Sequence, residues 1–237
     1  MADKQPGVIA LDLYLVRHGN SLSNAGLAGD DPMERYDSRL SPLGEQQIEL
    51  LGPRFAQLPF DHILSSGLRR TLATADAVVR SQPADGAHTI EVHPVFTEWG
   101  IPPACPGRTM DEIRADFPRA AAAPGAEQYA RMIDHTLPGD QHLAPGGREI
   151  RAVEYLRQRF THGERVLLSG HGCFNGFMLY HILGIPESAG FTLDLYNTGV
   201  TRVIFYQPGT GPVRDTELVF FNDCSHLFPA DPVFCYR

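Results

Sequence analysis

The sequence is poor in the features that would tie it to a special environment. No stretch approaches the ~20 apolar residues that a membrane-spanning helix needs. No long apolar run precedes Arg17 in MADKQPGVIALDLYLVRHG, so no signal peptide is expected and a cytoplasmic location is. A basic excess is also missing: 20 Lys and Arg stand against 28 Asp and Glu, a net charge of −8. That argues against nucleic acid or an anionic membrane as partner, because both call for a basic face. It does not exclude a small anion, since a pocket can be locally positive on an acidic protein. The four cysteines, Cys105, Cys173, Cys224 and Cys235, make no C-x-x-C pair, which argues against a zinc knuckle. Reduced thiols in a cytoplasm are the simplest reading; a Cys224–Cys235 pair stays open if the C-terminus folds back. His62, His88, His93, His135, His142, His162 and His181 show no metal-ligand spacing, and no metal or cofactor is called for. Oligomeric state is left open, a homodimer included.

What is present is an ordinary globular balance, 43% hydrophobic and 20% charged over 237 residues, enough for one core without staples. Leu11 to Val16 reads as a buried strand ending at Arg17. A polar loop, Gly19 to Leu40, follows. Ser41-Pro42 has the form of an N-cap with proline at the first helical position, opening a helix to about Gln57. Ile63-Leu64 closes a second strand, and a helix runs from about Leu68 to Val79. Thr89 to Val95 alternates as a third strand. Residues 101–147 are rich in Pro, Ala and Gly and read as an inserted cap with short helices at Thr109 to Phe117 and Glu127 to Ile133. Beyond it come a helix (Arg148 to Phe160), a strand (Arg165 to Ser169), a helix (Phe174 to Leu183) and strands at Thr192 to Tyr196, Val200 to Tyr206 and Glu217 to Phe221. Alternating strands and helices predict a three-layer α/β/α sandwich around a mostly parallel sheet. With no repeat or linker, residues 1–237 form a single domain.

In such a sheet, ligands sit at the carboxyl ends of the strands. Three of the predicted strands end in residues suited to phosphate: Arg17-His18-Gly19, then Ser65-Ser66 with Arg69 and Arg70 beyond, then Ser169-Gly170-His171-Gly172. Guanidinium donors and imidazoles are what a phosphomonoester dianion requires. A nucleophilic imidazole must be neutral, with one nitrogen held so that the other is available; neighbouring arginines keep it neutral. Glycines such as Gly172 let backbone and phosphate approach closely, and a helix beginning after His171 aims N–H groups at an anion. The departing alcohol needs a proton, and Glu98, just past the third strand, stands where an acid is wanted. Trp99 beside it would keep that acid partly dry. Trp99 and Pro102-Pro103-Ala104 point to a non-ionic part of the substrate.

These blocks resemble the histidine phosphatase superfamily, also called phosphoglycerate mutase-like, over nearly the whole chain. Leu15-Val16-Arg17-His18-Gly19-Asn20-Ser21 is similar to its defining motif, with Asn24 at the place of an accessory phosphate contact. Leu40-Ser41-Pro42-Leu43-Gly44 with Gln47, Leu64-Ser65-Ser66-Gly67-Leu68-Arg69-Arg70-Thr71, and Leu168-Ser169-Gly170-His171-Gly172 resemble its following blocks in order. Gly67, Thr71 and Cys173 depart from the usual proline, alanine and glycine. The resemblance implies His18 as phosphorylated nucleophile, Arg17, Arg70 and His171 as the phosphate pocket, and Glu98 as proton donor. It aligns Arg70, not Arg69, with the phosphate arginine, so Arg69 reads as a solvated helix face. His226 stays open between packing and support of the pocket. The implied activity is metal-free phosphomonoester hydrolysis; a mutase and a non-catalytic phospholigand-binding protein are the alternatives.

Overall fold

The computed structural model describes residues 7–133, 135, 147–186 and 189–228. His142, Cys235 and part of the proposed cap, residues 136–146, lie outside them. Among the described residues a seven-stranded sheet runs β4-β3-β2-β5-β1-β6-β7. Its strands are β1 (Ile9–Arg17), β2 (His62–Ser65), β3 (Ile90–Val92), β4 (Ala120–Ala122), β5 (Glu164–Gly170), β6 (Val200–Tyr206) and β7 (Thr216–Asp223). β4, β3, β2, β5 and β1 are parallel; β6 is antiparallel to β1, and β7 to β6. The α/β fold with a mostly parallel sheet is as the sequence predicts.

The central strands β1 and β5 are largely apolar because helices cover both faces of the sheet there. Leu11, Leu13 and Leu15 of β1 and Val166 and Leu168 of β5 face one core. It is completed by Ala152, Val153 and Leu156 of α5 (Arg148–Arg159) and Phe174 and Met178 of α6 (Gly172–Leu183). Tyr14, Val16 and Leu167 point the other way. They meet Leu51 of α2 (Pro42–Arg54) and Leu72, Ala75 and Val78 of α3 (Arg69–Ser81). The period of two along each strand thus builds the three layers.

Two short helices complete the set: α1 (Pro32–Tyr36), inside the polar loop, and α4 (Met110–Asp116). Several local expectations need correction. β4 lies inside the region read as a cap, and its register with β3 (Ile90↔Ala120, Val92↔Ala122) adds it to the sheet edge. Residues 127–133 form turns, not a helix. Met132 N–H donates to the Arg108 carbonyl, and Gly125 at φ +85° has already turned the chain. Residues 192–196 are irregular, not a strand. Side chains satisfy their backbone instead: Tyr196 N–H donates to Asn222 Oδ1 (2.9 Å), and Arg17 Nη1 donates to the Leu195 carbonyl (2.5 Å). The third strand is shorter than expected, giving way at Pro94–Phe96 to a single 3-10 turn.

Candidate active site

The sheet register alone brings the three blocks to one level. Arg17 at the end of β1 pairs with Gly170 at the end of β5, and Ser65 at the end of β2 pairs with Ser169. His18, Ser66 and His171 follow immediately, at the carboxyl rim of the parallel strands. His18 N–H also donates to the Gly170 carbonyl (3.0 Å), tying the first block to the last.

His18 is almost fully buried. Its Nδ1 lies 2.7 Å from its neighbour Gly19's carbonyl. A carbonyl can only accept, so Nδ1 carries the proton and the lone pair is on Nε2. Arg70 Nε donates to that Nε2 at 3.1 Å, and Arg70 Nη1 is anchored on the Tyr36 carbonyl at 2.8 Å. Burial, then the Arg70 and Arg17 charges, hold the His18 pKa well below the ordinary imidazole value. The sequence argument credited the arginines; burial is the larger cause.

The His171 ring stands 5.3 Å from that of His18, centroid to centroid. Its Nε2 meets Ser66 Oγ at 2.8 Å, while its buried Nδ1 has no hydrogen-bond partner among the described residues. Burial first, then Arg70, push its pKa well down too. Ser66, grouped in the sequence with the residues suited to phosphate, is occupied: it also meets Thr71 Oγ1 at 2.8 Å and accepts Leu68 N–H at 3.3 Å. Thr71 and Gly67, two departures from the family blocks, are explained here. Thr71 supports Ser66, and a side chain at position 67 would come within 2.4 Å of Met132 Cβ.

Glu98 lines the cleft, and its Oε1 accepts Trp99 N–H (2.9 Å) and Phe174 N–H (3.1 Å). The start of α6 therefore serves this carboxyl. Burial raises the Glu98 pKa, with Arg70 and the backbone donors opposing. Arg148 holds the segment. It is 1% exposed, donates to the Thr97 and Glu98 carbonyls, and lies 4.9 Å from the ring centroids of both Trp99 and Phe174.

The open cleft has a volume of about 530 Å³ and is lined by Arg17, His18, Asn24, Arg70, Glu98 and Gly172, among others. His171 lies behind that lining. Asn24 Oδ1 is engaged by Ser21 N–H (3.3 Å) and Asn197 Nδ2 (3.4 Å). Arg69 is turned to Asp37, whose Oδ1 accepts its backbone N–H at 2.7 Å. Trp99 and Ile101 reach the cleft; the Pro102-Pro103-Ala104 run does not line it. His226 supports the site at one remove: its Nε2 meets Thr198 Oγ1 at 3.1 Å, and Thr198 N–H donates to the Arg17 carbonyl at 2.9 Å.

Three supporting residues escaped the sequence reading. Asn197 Nδ2 donates to the His18 carbonyl at 2.9 Å, Asp37 pins Arg69 and Arg108, and Arg148 fixes Glu98. Asn197 and Asp37 look like turn residues in the sequence, and Arg148 like any helix start. Only spatial proximity reveals them. Among the described residues no group of three or more His, Cys, Asp or Glu is gathered as for a metal ion. Nor does any described helix have the length and apolarity to cross a membrane.

Known proteins carry the same plan. The chain is 28% identical over 227 residues to the probable phosphoglycerate mutase GpmB of Salmonella typhi, covering 92% of this chain and 95% of that one. The structure is similar to phosphoglycerate mutase from Bacillus anthracis (TM-score 0.61, 18% identity, 94% and 96% of the two chains). It is also similar to phosphoserine phosphatase from Entamoeba histolytica in complex with 3-phosphoglyceric acid (TM-score 0.58, 21% identity, 92% and 99% covered). Residues 13–215 match the histidine phosphatase superfamily (branch 1), and the chain belongs to that family.

Proposed function

We propose that this protein is a metal-independent phosphomonoester hydrolase of the cytoplasm that works through a phosphohistidine on His18. One observation carries the reading: His18 holds its proton on Nδ1 against the Gly19 carbonyl and turns its Nε2 lone pair to Arg70 beside an open cleft. An imidazole fixed in that tautomer is a nucleophile, and an arginine at its tip is a clamp for the group it attacks.

The chemistry follows in two displacements. Nε2 attacks phosphorus in line, the ester P–O bond breaks, and Glu98 gives its proton to the departing oxygen. Arg70 shifts its donor from Nε2 to a phosphoryl oxygen, and Arg17 neutralises a second. The buried Nδ1 of His171 is left as a donor for a third. The Gly19 carbonyl stabilises the cationic ring of phosphohistidine through the Nδ1 proton. A water then attacks phosphorus, returns a proton to Glu98, and the P–Nε2 bond breaks. Burial raises the Glu98 pKa, which favours the protonated form that a general acid needs. Asn24 and Gly172 shape the rim of the phosphate site. The arginines supply the positive charge that a metal ion would otherwise provide.

Names among the relatives favour a mutase as the second reading. The test is chemical. Incubation with a phosphomonoester panel should release inorganic phosphate with chelator present, and acid-labile, base-stable phosphate should be trapped on His18. His18→Ala should lose turnover. Isomerised phosphoglycerate without phosphate release would favour the mutase, and turnover by His18→Ala would end the covalent mechanism.

A further inference from the structure

Beyond the phosphate pocket, the cleft has a wall whose composition is unusual for protein surface. α6 (GCFNGFMLYHIL) has almost no polar face. One side, Phe174, Met178 and Leu179, is buried in the core. The other side is equally apolar yet faces the cleft: Gly176, Phe177 and Tyr180, at helical spacing. A helix apolar all round is ordinarily covered all round; here Phe177 and Tyr180 are only half-buried, covered in part by Trp99, Phe191 and Leu193 and otherwise open to the cleft.

The wall is continuous and begins at the acid. Trp99, adjacent to Glu98, packs against Phe174 (6.2 Å between ring centroids) and edge-on to Phe177 (6.1 Å). Phe177 meets Tyr180 at 6.2 Å, and Tyr180 meets Phe191 at 5.9 Å. Leu193 and Ile101 line the cleft with them. Phe191, at the far end, is 53% exposed. Arg148 clamps Trp99, so the wall is rigid at the catalytic end. The leaving oxygen of a substrate must lie against Glu98. Whatever that oxygen belongs to therefore lies along Trp99, Phe177 and Tyr180. Beyond the phosphate pocket the lining carries one residue of each charge, Asp194 and Arg35, while the wall itself offers a carboxylate only rings.

We infer that the alcohol portion of the substrate is apolar, an aryl or medium-chain alkyl group bound along the Trp99–Phe177–Tyr180 wall. The inference rests on the phosphomonoester reading of the anion site but not on where the phosphoryl group ends.

It can be tested without turnover. Trp99 is the single tryptophan of the chain, so its fluorescence reports the wall directly. Titration with n-alkylphosphonates from ethyl to hexyl should quench and blue-shift its emission. Affinity should rise about fourfold per methylene, in line with ~0.8 kcal/mol per buried CH₂. Phe177→Ala should flatten that slope. Affinity independent of chain length, or a carboxyalkylphosphonate binding more tightly than the alkyl compound of equal length, would overturn the inference. The hydrolase reading is tested separately by phosphate release from hexyl phosphate. Steep phosphonate binding without release defeats hydrolysis and leaves the wall intact; release with a flat slope does the reverse.

Discussion

Glu98 decides how the site behaves with pH. Its carboxyl is pulled two ways: burial raises its pKa, and the Trp99 and Phe174 N–H groups and Arg70 lower it, with burial winning. An acid whose pKa is raised keeps its proton further up the pH scale, so the alkaline limb of kcat/KM should fall above the ordinary carboxylate range. The limb belongs to leaving-group protonation, so it should depend on the leaving group. For an alkyl phosphate, Glu98→Gln should cost roughly 10²–10³ in kcat/KM, the span of a general acid. For p-nitrophenyl phosphate, whose phenolate departs unaided, the loss should stay within about tenfold. The ratio of wild-type to Glu98→Gln rates against pH, taken for each substrate separately, isolates Glu98, because ionisation of His18 and of that substrate's phosphate is common to both enzymes and cancels. Equal losses on both substrates would remove Glu98 from proton transfer. His18, Arg17, Arg70, His171 and Glu98 were all legible as candidates because each follows a strand in a short motif. Ser66, Asn197, Asp37 and Arg148 were not legible in their supporting roles, since each acts through contacts across about 50 to 180 positions of sequence.

Elements position those residues through their ends. Ser41 caps α2 by accepting Gly44 N–H at 3.1 Å, and its hydroxyl donates to Asn20 Oδ1 at 2.7 Å, within the phosphate loop. Ser41→Ala should therefore lower stability by about 1 kcal/mol, as for other lost caps, and should also slow turnover. A purely structural cap would change the urea midpoint and leave kcat/KM alone. Gly172 opens α6 where a Cβ would lie 3.2 Å from Arg17 Nε and 3.3 Å from its Cζ. Gly172→Ala should displace the guanidinium by a few tenths of an ångström and lower kcat/KM about tenfold, given that ~1 Å of misplacement costs 10²-fold. The melting temperature should scarcely move. The elements the sequence disclosed are those with a physical mark of their own: apolar runs at β1 and β5, and Ser41-Pro42 at α2. β4 had no such mark. Alanines at 120–122 favour helix, and only pairing with β3 makes them a strand. The error at 192–196 ran the other way: alternating residues suggested a strand, but Asn222 and Arg17 satisfy its backbone groups in place of a ladder.

At the scale of the whole molecule, the neutral, buried imidazoles that suit the chemistry carry a cost in acid. His93 is buried among Phe96, Tyr129 and Tyr155, its Nδ1 accepting Val95 N–H at 3.0 Å. Burial first, then Arg159, lowers its pKa to about 4. His226 is lowered to about 4 by burial and then Arg54, with Asp223 opposing. His18 and His171 shift the same way. A group whose folded pKa is depressed contributes stability that is present above its unfolded value near 6.5 and is lost as pH falls toward the folded value. At pH 5 the unfolded chain takes up protons that the folded chain refuses, at about 2 kcal/mol for each histidine shifted to about 4. Asp37 and Glu98, raised by burial, act in the opposite sense, so the total pH dependence mixes both kinds. A difference between variants separates them. His226→Gln keeps a polar group between Arg54 and Thr198 but cannot take a proton. The gap between unfolding free energies at pH 8 and pH 5, read by urea titration, should shrink by about 2 kcal/mol in that variant. The carboxyls contribute equally to both proteins and drop out. A variant with the full wild-type gap would mean that residue 226 is not held neutral by the fold, and its link through Thr198 to the His18 loop would then have to be charged.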